Sequence, residues 1–239
     1  MKVEIVLTRD GDQQVVSYDY QRREPKERPM VLDVLLQAQA TTIPDLAFRY
    51  GCRARNCGVC TIDINGKPRI ACRARAREGD RLEPVSTLPV LGDLVVRRDG
   101  VARQLRGRLP VAAQGNDLNV EAPQAYHELT ACIECYACLT GCPMHARNGE
   151  NADPGAGYEF GNPFSLLKLQ RARLDPLGSS QSREQALKSA VELGLSSCVD
   201  CPGCKCGVGI DLKKLVVSEL LTAAGDRLPE PSDLSEETA

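Results

Sequence analysis

The chain has 239 residues, a formal net charge of −2, 42% hydrophobic and 4% aromatic residues, and no tryptophan. This length suits one large domain or two small ones, with a core that needs no disulfide staples. The small net charge gives no indication of a nucleic acid or a membrane surface as a binding partner. Basic residues are in excess in the first half and acidic residues in the second. This asymmetry indicates two modules or, equally well, two ordinary solvated faces.

The N-terminal part predicts a small β-rich domain with one helix. Alternating apolar residues and turn signals predict strands over Lys2–Thr8, Gln14–Tyr20, Val59–Ile64 and from Arg69 to Cys72, with a closing edge segment at Asp93–Arg98. Helical spacing of apolar residues predicts a helix over Val31–Gln39. The Arg-, Gly- and Cys-rich stretch Phe48–Cys60 is predicted to be a loop.

The C-terminal part predicts a helical domain. Residues 106–125 contain glycines and prolines typical of a linker, and the strand signals disappear after residue 126. Helices are predicted over Pro163–Leu174, Arg183–Leu195 and Asp211–Ala224. The predicted organisation is therefore a domain over 1–105, a linker over 106–125 and a helical domain over 126–239.

Twelve cysteines fall into three groups of four, with none left over. The groups are Cys52, Cys57, Cys60, Cys72; Cys132, Cys135, Cys138, Cys142; and Cys198, Cys201, Cys204, Cys206. Thiolate iron–sulfur clusters usually take four ligands each, so the count indicates three redox centres. Such close spacing is typical of metal binding rather than of a disulfide framework, and it fits a reducing compartment.

The first group has the plant-type spacing C-x4-C-x2-C with a fourth cysteine further on, which predicts a [2Fe–2S] cluster on Cys52, Cys57, Cys60 and Cys72. Gly58, within this group, and Gly51, just before it, are expected to let the backbone come close to the cluster. A zinc site is the alternative. It is less favoured because zinc ribbons use paired C-x2-C knuckles and only one is present here.

The second group has the bacterial-ferredoxin spacing C-x2-C-x2-C-x3-C-P, and the third group has the same spacing with two residues missing before its last cysteine. In two-cluster ferredoxins the fourth cysteine of a run binds the other cluster. This exchange predicts a [4Fe–4S] cluster on Cys132, Cys135, Cys138 and Cys206, and a third cluster on Cys142, Cys198, Cys204 and, as a fourth ligand, Cys201. His145 could face a cluster or a redox ligand, or be an ordinary loop histidine.

Several sequence segments lie around the cysteines. Together they identify a protein family more specifically than any single cysteine run does. They are Pro44–Arg49 leading into Gly51–Arg53, Cys57–Cys60, Ile64–Gly66, Ile70–Cys72, Pro89–Val96, Cys132–Pro143 and Cys206–Lys213. With them, the chain resembles the iron–sulfur subunit of the succinate dehydrogenase/fumarate reductase family over essentially its full length.

The resemblance implies an α+β fold, with an N-terminal plant-type [2Fe–2S] ferredoxin (β-grasp) domain followed by an all-α, bacterial-ferredoxin-like domain with two further clusters. It implies an electron-transfer subunit of an oxidoreductase complex, without catalytic residues or a substrate site of its own. Electrons would pass between a FAD-containing flavoprotein subunit, which oxidises succinate or reduces fumarate as in the tricarboxylic acid cycle, and a membrane anchor that exchanges them with quinone.

Three positions depart from the common family pattern. Cys201 stands where most members lack a cysteine and hold a [3Fe–4S] cluster, so the third cluster is expected to be [4Fe–4S], with [3Fe–4S] as the alternative. Cys206 comes two residues early and is followed by Gly207 instead of proline. The residues after Pro143 lack the tryptophan that helps to form the family's quinone site. The same electron carrier could therefore serve another flavoenzyme or a thiol/disulfide partner of the heterodisulfide reductase kind.

The N-terminus has neither the basic nor the long apolar region of a signal peptide, and no apolar run approaches the length of a membrane span. The expected location is therefore cytoplasmic, peripheral on the inner face of the cell membrane through partner subunits. A zinc-stabilised interaction module remains the alternative from another functional class.

Overall fold

The structure is a computed structural model that describes residues 1–110, 120–149 and 158–228. Parts of the predicted linker (111–119) and of the predicted helical domain (150–157 and 229–239) lie outside the described residues. The chain divides into two compact units. The first comprises Met1–Arg98 with Ile133–Thr140, and the second comprises Asp99–Cys132 with Gly141–Ala239. The boundaries predicted at residues 105 and 126 remain predictions.

A five-stranded mixed sheet forms the centre of the first unit. Its strands are β1 (Lys2–Arg9), β2 (Asp12–Asp19), β3 (Thr61–Ile64), β4 (Lys67–Ile70) and β5 (Arg81–Glu83), in the spatial order β2-β1-β5-β3-β4. Two antiparallel hairpins, β1–β2 and β3–β4, are joined through β5, which runs parallel to β1. Asn65 and Gly66 form the β3–β4 turn with left-handed φ values of 53° and 70°, as an Asn-Gly turn requires.

One helix, α1 (Val31–Thr41), adds Val31, Leu32, Val34, Leu35 and Ala38 to the core of this unit. Its apolar face is buried together with the inward side chains of the sheet. The N–H groups of Val31 and Leu32 donate to the carbonyls of Ala74 and Ala71, at 2.8 and 3.0 Å. These bonds fix the chain around Cys72 against the start of the helix.

A small two-stranded sheet consists of β6 (Val90–Gly92) and β7 (Val95–Val96). The turn between its strands binds the backbone of Ala47, just before the cysteine loop. The buried Asp93 carboxylate accepts a hydrogen bond from the backbone N–H of Ala47 at 2.8 Å, and the N–H of Leu94 donates to the Ala47 carbonyl at 3.1 Å. The loop that follows Ala47 is therefore anchored at its start by these two hydrogen bonds.

The predicted α+β class is confirmed, and β1, β2, β3 and α1 lie within about two residues of their predicted positions. The closing edge segment is wrong, because Asp93–Arg98 contributes β7 to a separate hairpin and does not extend the main sheet. The partner strand, predicted to start over Arg69–Cys72, spans Lys67–Ile70, so Cys72 lies after the strand and not within it. The central strand β5 was not predicted, because its three residues are too short to show an alternation.

Short helices and turns build the second unit. In chain order they are α2 (Asp99–Arg103), α3 (Gln124–Thr130), α4 (Pro143–Ala146), α5 (Pro163–Arg173), α6 (Ser180–Glu192), a 3₁₀ turn (Leu195–Cys198), a π-helical stretch (Lys213–Ser218) and α7 (Glu219–Ala224). The Asn162 side chain caps α5 by accepting the Ser165 N–H at 3.0 Å, and it donates to Gln104 at 2.8 Å. Among the described residues, no helix is both long and apolar enough to cross a membrane.

The three predicted helices of this unit correspond to α5, to α6, and to the π-helical stretch continued by α7. The last of them begins with π-type hydrogen bonding instead of a regular α-helix. The helices α2, α3 and α4 were not predicted because each is seven residues or shorter, too short for an apolar period to show.

Leu82 offers a test of the strand that was not predicted. Its side chain is 0% exposed in β5, between β1 and β3, so Leu82→Ala should cost about 2–5 kcal/mol of stability through the buried cavity it leaves. Leu91→Ala is the matched control. Leu91 is 53% exposed, and its removal should change stability by no more than about 0.5 kcal/mol. Equal melting temperatures for the two variants would show that β5 is not part of the core.

Candidate metal centres

The first four cysteines lie together in the first unit. Cys52 hydrogen-bonds through its side chain to Cys57, and Cys60 does so to Cys72. The N–H of Ala71 also donates to the Cys60 carbonyl at 3.0 Å, which ties the loop to the segment that carries Cys72. The four thiols therefore form two adjacent pairs.

The backbone of the loop is shaped to favour a thiolate at Cys52. The N–H groups of Ala54 and Asn56 donate to Cys52 Sγ at 3.3 and 3.2 Å. These two bonds, followed by the bond with Cys57, lower the pKa of the exposed Cys52 thiol to about 7. Cys60 is buried, and burial raises its pKa to about 11 even though the Cys72 N–H donates to it. Binding of cationic iron at these thiols would displace the proton that burial otherwise retains.

Gly58 has a role that its position in the loop did not reveal. A Cβ built on Gly58 would lie 2.3 Å from the Ile133 carbonyl oxygen and 2.9 Å from the backbone N of Cys135. Its φ of +61° is also left-handed. A Cβ on Gly51, by contrast, would meet its nearest atom, Cys57 Sγ, at an ordinary 3.5 Å. Gly58 is thus required by the close approach of the second cysteine run.

The second predicted ligand set falls in both units. Cys135, which is buried, and Cys138, which lies in a 3₁₀ turn (Ala137–Leu139), belong to the first unit, while Cys132 and Cys206 belong to the second. The Cys206 Sγ accepts a hydrogen bond from the Val208 N–H at 3.4 Å. The assignment of these four residues to one cluster stays a prediction from their spacing.

The last predicted set lies within the second unit, where four thiols influence one another. Burial, followed by the neighbouring thiols of Cys142, Cys204 and Cys201, raises the pKa of Cys198 to about 12. Burial and then Cys142 and Cys201 raise the pKa of Cys204 to about 12, and the pKa of Cys142 is raised by burial and by Cys201. Cys142, Cys201 and Cys204 thus all act on the pKa of Cys198, and Cys201 also acts on the pKa values of Cys142 and Cys204.

Lys213 adds a cation to this last group, and the sequence patterns did not identify it. Its Nζ lies 3.5 Å from the Cys201 carbonyl and 3.4 Å from the Pro202 carbonyl, and its charge acts to lower the pKa of Cys204. A Cβ on Gly203, at φ +116°, would meet Lys213 Cδ at 3.1 Å. Lys213 thus covers the loop that carries Cys201 and Cys204.

His145 is buried in α4 instead of lying exposed in a loop. Its N–H donates to Cys142 Sγ at 3.4 Å, and its ring packs edge-on against Tyr158 with centroids 5.2 Å apart. The backbone of His145 therefore contributes directly to the surroundings of Cys142.

In the ranges that the structure describes, no three His, Cys, Asp or Glu side chains are close enough to bind one ion in common.

Comparison with known proteins agrees with this chemistry. A family model described as a 2Fe-2S iron–sulfur cluster binding domain matches residues 3–103. The chain is 31% identical to a subunit of the fumarate reductase (CoM/CoB) of Methanothermobacter marburgensis over 75% of the chain and 35% of that protein. It is 25% identical to the succinate dehydrogenase iron–sulfur subunit of Bacillus subtilis over 88% of both chains.

A solved structure extends the likeness to the whole fold. A chain of the Mycobacterium smegmatis Sdh1 complex in the apo form matches with a TM-score of 0.79 and 27% identity, covering 96% of this chain and 97% of that one. Some curated relatives are longer, since the chain spans 35% and 56% of the length of two that it matches at 31% identity. The match confirms the ferredoxin-like first domain followed by helices.

Proposed function

Since the chain is a homologue of the iron–sulfur subunits of the succinate dehydrogenase/fumarate reductase family, we propose that it is the electron-transfer subunit of such a complex. It relays single electrons between a FAD-containing flavoprotein subunit and a membrane anchor that exchanges them with quinone. Succinate or fumarate reacts on the flavoprotein, and this chain is held at the inner face of the membrane through its partners.

The observation that carries the proposal is the grouping of four thiols at two separate places, with the 2Fe-2S family match over the first of them. Bound iron–sulfur clusters supply one-electron transfer. In the first unit, we assign Cys52 and Cys57 to one iron of a [2Fe–2S] cluster and Cys60 and Cys72 to the other. The N–H groups of Ala54 and Asn56 stabilise the thiolate charge at Cys52.

For the third cluster, we assign Cys142, Cys198, Cys204 and Cys201 as ligands of a [4Fe–4S] centre. The mutual effects of these four thiols support a fourth ligand at Cys201, which a [3Fe–4S] centre would not need. Lys213 holds the loop between Cys201 and Cys204 and compensates part of the negative charge there.

For the second cluster, we assign Cys132, Cys135, Cys138 and Cys206 to a [4Fe–4S] centre on the basis of their spacing. The shortened interval before Cys206 leaves that residue as the fourth ligand once Cys204 is assigned to the third cluster. The local backbone supports Cys206 as a ligand, because the Val208 N–H is directed at its sulfur.

Activity measurements on the complex purified with its partners test the proposal. We expect succinate oxidation with a dye acceptor, or fumarate reduction by reduced viologen, from a preparation that contains bound flavin and iron. The same complex with Cys60→Ala should keep its flavoprotein but lose electron transfer to quinone. Absence of both activities despite bound flavoprotein would rule out the succinate/fumarate assignment.

A thiol/disulfide partner is the second candidate. The likeness to the fumarate reductase (CoM/CoB) of Methanothermobacter marburgensis favours it, as does the absence of tryptophan after Pro143. Under this alternative the electrons leave or enter through a thiol/disulfide couple instead of quinone. Comparing quinone with thiol or heterodisulfide substrates in the same fumarate assay separates the two candidates.

A further inference from the structure

Arg98 contacts both sequence neighbours of Cys135, Glu134 and Tyr136. Its guanidinium donates a hydrogen bond to the backbone carbonyl of Glu134, and its Cζ lies 4.7 Å from the centroid of the Tyr136 ring. All these residues belong to the first unit. A planar guanidinium can satisfy a carbonyl and stack on a ring at once, which a lysine ammonium does less well.

The backbone that Arg98 holds is strained at two positions. Glu134 and Tyr136 have left-handed φ values of 55° and 59°, although neither is glycine. Such a conformation costs about 1–2 kcal/mol per residue and persists where the surroundings fix it. Contacts to both residues make Arg98 one such fixing group, and the residue fixed between them is Cys135.

The same guanidinium places positive charge next to Cys135. Arg98, Arg49 and Cys135 line a small pocket that is partly open to solvent and whose lining also includes Ile62, Leu88 and Leu94. The Arg49 guanidinium is fixed by its bond to the Val96 carbonyl at 3.0 Å. Partial burial lowers the pKa of Arg98, but a guanidinium stays protonated in proteins.

We propose that Arg98 is a positioning residue of the second cluster, which holds Cys135 in place and raises the reduction potential of that cluster through its charge. The inference rests on the proposed function, since it takes Cys135 as a ligand. Reduction adds one negative charge to a cluster, so a nearby fixed cation favours the reduced form. Cys135 itself is buried, so water screens this charge less than it would at an exposed thiol.

A redox titration of the purified complex, followed by EPR, tests the inference. At the potential where half of the second cluster is reduced in the unaltered protein, Arg98→Gln should lower the reduced-to-oxidised ratio about tenfold, equivalent to 59 mV for one electron. The third cluster should titrate unchanged, and the first cluster should shift less than the second, because its loop also lies beside Cys135. Arg98→Lys keeps the charge and should recover most of the ratio, and Arg97→Gln, at the exposed neighbouring position, should have no effect.

Several outcomes would overturn the inference. These are an unchanged ratio in Arg98→Gln with the cluster present, an equal shift of all three clusters, or the same shift in Arg98→Lys as in Arg98→Gln. If Arg98→Gln fails to assemble the second cluster, Arg98→Lys decides. An intact cluster with a nearly unaltered potential in Arg98→Lys supports the inference, and an intact cluster with a potential lowered as far as in a cluster-bearing neutral variant such as Arg98→Met overturns the role of charge. Cys135→Ala distinguishes a failure of the ligand assignment, because survival of the second-cluster signal in that variant refutes the proposed function at this site.

Discussion

Replacing Gly58 by alanine is expected to lower the melting temperature of the protein by about 6–12 °C. The new methyl group would lie 2.3 Å from the Ile133 carbonyl oxygen. This is a backbone atom, so no side-chain rotation can relieve the clash. Left-handed strain of about 1 kcal/mol and about 2 kcal/mol for displacing the packed segment give a loss of about 3 kcal/mol. For a chain of this size each kcal/mol corresponds to about 2–4 °C.

Gly66→Ala is the matched control for this experiment. Gly66 has a similar left-handed φ of +70°, but a Cβ there has no neighbour within 4 Å. The control therefore carries the strain alone, about 1 kcal/mol or about 2–4 °C. Thermal unfolding of the two anaerobically purified variants at one scan rate makes the comparison. The same melting temperature in both would mean that the Ile133–Cys135 segment does not pack against Gly58.

Replacing Cys201 by alanine is expected to convert the third cluster from [4Fe–4S] to [3Fe–4S]. Cys142, Cys198 and Cys204 would remain as ligands for three iron atoms, while the fourth iron would lose its protein ligand. Iron content should fall by one atom per chain. EPR of the oxidised protein should show a [3Fe–4S] signal that the unaltered protein lacks.

Cys206→Ala is the companion variant, because it removes a thiol of the same segment that we assign to the second cluster. It should disturb the second cluster and leave the EPR behaviour of the third cluster unchanged. A [3Fe–4S] signal already present in the unaltered protein would contradict the assignment of Cys201. An unchanged third cluster in Cys201→Ala would contradict it as well.

Much of the fold could be predicted because the relevant signals are local. The alternation in Lys2–Arg9 and the Asn65-Gly66 turn specify strands and hairpins without reference to the rest of the chain. The strand Arg81–Glu83 could not be found in this way. It is short, and its position between β1 and β3 is decided by pairing with residues far away in the sequence.

The candidate sites also combine features that local sequence spacing predicts with contacts that only the fold creates. The spacing of Cys142, Cys198, Cys201 and Cys204 predicted a shared group, and that grouping stays a prediction, supported by the influence of Cys142, Cys201 and Cys204 on the pKa of Cys198. No spacing rule could associate Arg98 with Cys135, or Gly58 with Ile133, because each pair meets only through the fold. The contact of Lys213 with the carbonyls of Cys201 and Pro202 could not be predicted from spacing either, because Lys213 meets this loop only through the fold.

The return of Ile133–Thr140 to the first unit has a consequence for biosynthesis. A ribosome makes the chain from its N-terminus, so residues 1–98 emerge well before the segment that completes their unit. Until residue 140 has been released, Gly58 lacks its covering backbone and the surface around Val59 and Leu88 lacks Cys135. The face of the Cys52–Cys60 loop around Gly58 is therefore uncovered for the time it takes to synthesise residues 99–140.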